Sequence, residues 1–121
     1  MARRRRWRIH LTAAAETDFR NILRWTSEHF GETQAHVYFD TLTAAIEALT
    51  EGPDVIGSRK SSAIGEGVRV LHVARGGRKG RHFVLVRVHP QAEPPAIDVL
   101  RLLHDSMDLP RHVVAGNEYD R

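Results

Sequence analysis

The chain is 121 residues long, room for one domain that buries about two thirds of its unfolded surface. It holds no cysteine, which excludes disulfides and thiolate metal sites, and no apolar run near the ~20 residues of a membrane-spanning helix. The net charge of +3 hides a segregation: residues 13–58 carry two arginines against eight acids, whereas residues 59–88 carry eight basic residues against Glu66 alone. A segment of net +7 attracts an acidic peptide or a phosphate backbone without distinguishing them. Arg3 to Arg6 add a basic arm at the front, followed by no uninterrupted apolar stretch. No secretory signal is expected from that pattern, and a cytoplasmic location is.

In chain order, "WRIHL" alternates Trp7, Ile9 and Leu11 with Arg8 and His10, the pattern of a half-buried strand. Thr12 then suits a helix N-cap, with Glu16 and Asp18 near the positive end of the dipole. Ala15, Phe19, Ile22, Thr26 and Phe30 define an inward stripe, and Gly31 a C-cap. Thr33 is the expected cap of a second helix whose stripe runs Ala35, Tyr38, Leu42, Ala45 and Leu49 until Gly52-Pro53 stops it. Two helices of about 18 residues, each ~27 Å long and tightly linked, form an antiparallel hairpin.

"DVIGSRKSSAIGEG" reads as a loop, and the runs "VRVLHVA", "HFVLVRV" and "AIDVLRLL" as strands. They are separated by the turns "RGGRKGR" and "HPQAEPP". The fold class is therefore α+β, ordered β-α-α-β-β-β, with an antiparallel sheet packed against an N-terminal helical hairpin. One domain spans 1–121, with a loose basic arm at 1–6 and a short tail at 113–121.

The stretch "DVLRLLHDSMDLPRH" ends a strand in Arg-apolar-apolar-His, followed by Met-Asp and a second His. Together with "GETQAHVYFDTLTAAIEAL", "GEGVRVL" and the element order, it resembles the ParE branch of the ParE/RelE toxin superfamily from about Trp7 to Val113. The matching signature residues are Arg101, His104, Met107, Asp108 and His112. The resemblance implies a small bacterial toxin of a type II toxin–antitoxin pair, held silent by an antitoxin. ParE members poison DNA gyrase, and RelE members cut messenger RNA on the ribosome. A relative that binds its antitoxin without being toxic is a third reading.

RNA cleavage needs a base for the 2′-hydroxyl, an acid for the leaving oxygen and cations for the phosphorane. RelE-like members use arginines, lysines and often a tyrosine around the sheet. Here Lys60 and Lys79 fall in expected loops, Tyr38 on a helix and Tyr119 in the tail. An alternative ribonuclease site would draw on Arg87, Arg101 and His104. His104 with Asp105 or Asp108 suits either a base with its orienter or a structural clasp, and the clasp is the reading favoured. Eight histidines show no metal-ligand spacing, so no metal is expected. The basic segment suggests an antitoxin site at Arg69, Arg75, Arg81 and Arg87. Trp7 and Trp25 both suit core packing, and Trp25 also suits a rim against a partner helix. The favoured function is gyrase inhibition by protein binding rather than catalysis, without cofactor, membrane or small-molecule substrate. The alternative partners are ribosome and mRNA.

Overall fold

Strand β1 (Arg8–Leu11) runs into helix α1 (Ala13–Phe30), a glycine hinge, helix α2 (Glu32–Ala48) and a single 3-10 turn at Leu49–Glu51. Then come β2 (Arg59–Lys60), β3 (Val68–His72), β4 (His82–His89) and β5 (Ala96–His104). The computed structural model describes residues 6–53, 59–60 and 67–106. The expected arm at 1–5, the tail, and Met107, Asp108 and His112 lie outside the described residues. Arg6, expected in the loose arm, donates to the Thr50 hydroxyl at 3.3 Å.

The sheet order is β1-β5-β4-β3-β2. β3, β4 and β5 form the expected antiparallel meander, but β1 lies parallel to β5, so the sheet is mixed. The hairpin and the strands after it separate β1 from β5 in sequence, and β5, antiparallel to β4, runs in the direction of β3 and of β1. Two-residue β2, inside the segment read as a loop, pairs antiparallel with Arg69 and Val70.

Alternation along the strands sends Leu71, Val73, Val84, Val86, Ile97, Val99 and Leu102 to the helical side. They meet Ala15 of α1 and Leu42, Ala45 and Leu49 of α2 or its last turn. β5 switches from odd to even residues on that face because Leu100 is the extra residue of a β-bulge opposite Leu85–Val86. On the other face Val68, Val70 and Leu85 make a smaller cluster with Phe83 and Leu100. The stripe hydroxyls are satisfied within their own helices, Thr26 donating to Ile22 O and Thr41 to Val37 O.

Two local expectations are corrected. Gly31, at φ 91°, ends α1 and directly starts α2, so Thr33 lies inside the second helix and is not its cap. Phe30 keeps the α1 spacing but, at the terminal residue, rests against Trp25 and is exposed instead of entering the core.

The edge of β5 beyond β1 is closed by α1. The Thr12 hydroxyl accepts from Ala15 N and donates to Leu100 O at the bulge, while its own N–H donates to Val99 O. One side chain thus caps the helix and ties it to the irregular strand. Replacing Thr12 by Val should cost about 1–2 kcal/mol in urea denaturation, and Thr12→Ser should recover most of it. Equal stability of Thr12→Val and the parent would contradict the double role.

Candidate functional site

Because the meander is antiparallel, the end of β3, the start of β4 and the end of β5 meet at one rim of the sheet. His82 is in register with His104, and His72 with Phe83. Tyr38 comes down from α2 onto this rim, its hydroxyl 2.6 Å from His82 Nδ1. Burial pushes the Tyr38 hydroxyl up, so it keeps its proton. It therefore donates to His82 and accepts from Arg81 N at 3.0 Å. Burial first, then the neighbouring His104, pushes His82 down to about 4. His82 is a neutral acceptor at neutral pH.

Beyond this rim Asp105 receives His72 Nε2 at 3.0 Å and Arg81 Nε at 3.1 Å, and the His72 bond is the main reason its carboxyl sits below the ordinary value. Ala74 N donates to His72 Nδ1, which fixes the Nε2–H tautomer facing the carboxylate. His104 Nδ1 accepts from the Ser106 hydroxyl at 2.8 Å and the Ser106 N–H at 3.2 Å. Asp105 Oδ1 lies 3.7 Å from that nitrogen, too far to orient it. Asp105 is thus committed to His72 and Arg81, and His104 folds back on its own turn. The strand ends in a clasp.

Gly80 admits Tyr38 to this rim. A Cβ there would lie 2.5 Å from Val73 Cγ2 and 2.9 Å from Tyr38 Cε1. Of this cluster the sequence marks Arg81 and His104 as site candidates and does not single out His72 or His82. Tyr38 was set aside as helical, because nothing local pairs a helical residue with one 44 positions later. The inward stripe that contains Tyr38 was the available signal.

The three ribonuclease candidates have different surroundings. Arg101 is locked to Asp18 of α1, with Nε and Nη2 at 2.7 and 3.0 Å from its carboxylate, which also receives Leu102 N at 3.0 Å. By strand alternation Arg87 shares the helix-free face with Leu85, while His104 sits beside His82 at the rim. The four arginines suggested for the antitoxin are dispersed. Arg69 and Arg87 project from opposite faces of the sheet, and Arg75 and Arg81 flank the β3–β4 turn.

The helical hairpin has a different character. Trp25 is 53% exposed, Phe30 64%, Val37 51% and Phe39 45%. Trp25, whose core placement is thereby corrected, stacks on His29 at 4.1 Å and edges Phe30 at 5.7 Å. Phe39 meets Phe19 edge-on at 5.6 Å. No helix among the described residues is long and apolar enough to cross a membrane.

Comparison with known proteins places these features in context. Residues 9–109 match the family model described as the ParE toxin of the type II toxin–antitoxin system parDE. The chain is 33% identical over 99 residues to a Toxin ParE of Escherichia coli, covering 82% of this chain and 85% of the relative. It also superimposes on a solved structure titled "Chromosomal ParDE TA system from P. aeruginosa" with a TM-score of 0.65 at 18% identity. That match spans 83% of this chain and 97% of the other, and it bears on the fold alone.

The rim has a consequence for stability. His82 titrates at about 4 in the folded chain against 6.5 for an unperturbed histidine, so between those values the unfolded chain binds more protons. Its contribution is complete above pH 6.5 and fades as pH falls toward 4, a loss of about 1–2 kcal/mol once partial exposure is discounted. An NMR titration should place the His82 imidazole midpoint near 4. A midpoint near 6.5 would show that the ring is freely solvated.

Proposed function

The chain belongs to the ParE toxin family of type II toxin–antitoxin systems, and from that premise we propose that it inhibits DNA gyrase by protein–protein binding and is silenced by a cognate antitoxin. The observation that carries the proposal is the exposure of Trp25, Phe30, Val37 and Phe39 on the helical hairpin. Large apolar side chains left facing water are costly to solubility and mark docking surfaces. Aromatic residues, tryptophan above all, supply most of the energy of such contacts. An amphipathic antitoxin segment laid over the end of the hairpin would cover the Trp25–Phe30 pair.

Binding, not chemistry, also fits the rim. A general base must be free to take a proton near neutral pH. His82 is occupied by Tyr38, His72 by Ala74 N and Asp105, and His104 by Ser106. The different surroundings of Arg87, Arg101 and His104 favour no ribonuclease site. Target contact is assigned to the segment that β5 delivers, Met107, Asp108 and His112 in sequence, with its root held by Arg101 on Asp18 and by the His104–Ser106 turn.

Two measurements test this reading. Purified protein should block gyrase supercoiling and leave mRNA intact in a translating extract; cut mRNA with supercoiling untouched would replace it with the RelE-like function. Trp25→Ala should weaken antitoxin binding by about 10–30-fold, roughly 1.5–2 kcal/mol. Because Trp25 is exposed, its loss should change folding stability by only about 0.5 kcal/mol. Unchanged antitoxin affinity would remove the hairpin from the interface.

A further inference from the structure

The turn joining β3 to β4 is the most cationic feature among the described residues. Its sequence, Arg75-Gly76-Gly77-Arg78-Lys79-Gly80-Arg81, holds four cations and no acid. Gly76 and Gly77 have φ of 59° and 80°, and Arg78 N donates to Arg75 O at 3.0 Å. Two consecutive left-handed residues closed by that bond make a type I′ turn. Its corner residues, Arg75 and Arg78, are held within about 7 Å of each other. Like charges side by side across a turn repel. Arg81 is neutralised by Asp105. Arg75, Arg78 and Lys79 make no ion pair with any described residue, and Arg78 and Lys79 are exposed.

We propose that this turn is a phosphate clamp, gripping the backbone of duplex DNA through Arg75, Arg78 and Lys79. A phosphate between the two guanidiniums relieves their repulsion, and the guanidinium fork matches phosphate oxygens in pairs. The neighbouring chemistry selects nucleic acid over an acidic protein segment. From Ala74 to Arg81 the chain offers cations, glycines and one alanine, with no large apolar side chain to anchor a peptide. Phosphate contacts need charge and reach alone. The turn is also rigidly seated, since Val73 N bonds His82 O and Asp105 N bonds Arg81 O at its base. The identity of the DNA as that held by gyrase rests on the function proposed above; the clamp itself does not.

The test is binding of the full chain to a labelled duplex of arbitrary sequence, without gyrase, across a salt series. The triple variant Arg75→Gln, Arg78→Gln, Lys79→Gln should lower the slope of log affinity against log salt by about 2–3. At low salt its affinity should drop at least about tenfold, with the thermal midpoint kept within a few degrees because these side chains make no ion pair with a described residue. Other cations, including the arginines before Trp7, are common to both proteins and cancel in the difference. Arg75→Lys with Arg78→Lys should restore the slope while recovering only part of the affinity, since charge returns without the fork. An unchanged slope in the triple variant overturns the proposal. So does a variant that loses polyglutamate binding but keeps DNA binding, and so does a wild-type chain that prefers duplex RNA tenfold. A chain that shows the slope difference but leaves supercoiling intact supports the clamp and counts only against gyrase as the target.

Discussion

The fold depends on how α1 is fastened to the bulged strand β5. β1 is only four residues long and covers β5 as far as Val99, so the rest of that edge would present open backbone groups to solvent. Thr12 takes Leu100 O, and Asp18 takes Leu102 N together with the Arg101 guanidinium. Two side chains in the first turns of one helix thereby finish the strand's hydrogen bonding and set the helix's place against the sheet. The bulge at Leu100 is what makes this geometry necessary. It turns Leu102 and His104 toward the helices, and so decides which residues of the closing strand enter the core and the rim.

With α1 fixed, α2 follows through the Gly31 hinge, and its inward stripe puts Leu42 and Ala45 into the core and Tyr38 onto His82. The rim is then a set of mutually satisfied polar groups. Each histidine has its Nδ1 occupied, and Asp105 is shared between an imidazole and a guanidinium. Such a network specifies position. Its members direct hydrogen bonds to one another and to the adjacent turn. What the described residues leave unsatisfied is of another kind: apolar side chains on the hairpin and cations on the β3–β4 turn. Both suit contacts with macromolecules.

Much of this was legible residue by residue. The Thr12 cap, the Gly31 break, the three meander strands and the inward faces of α2 follow from periodicity and turn chemistry, since those signals act over a few residues. The parallel pairing of β1 with β5 does not, because register between strands nearly 90 residues apart is set by the packed core. Nor does the bulge, which shifts β5 by one residue without a glycine to announce it. Phe30 and Thr33 were misjudged for a shared reason. The hinge is a single glycine, so the spacing of α1 runs to its last residue and the second helix starts before its expected cap. For the site, the sequence supplied the right residue types but not their company: Asp18 with Arg101 and Tyr38 with His82 are tertiary pairs.

The claim that everything else leans on is that Asp18 closes the free edge of β5 and so positions the helical hairpin. Native-state hydrogen exchange at the Leu102 amide addresses it directly, comparing the parent chain with Asp18→Asn. In the parent this amide should exchange as slowly as the central amides of β4. In Asp18→Asn, where the carboxylate that receives both Leu102 N and the Arg101 guanidinium is gone, it should exchange at least about tenfold faster than those same β4 amides. A Leu102 amide that exchanges quickly in the parent, or is equally protected in the variant, would contradict this account of how the molecule is held together.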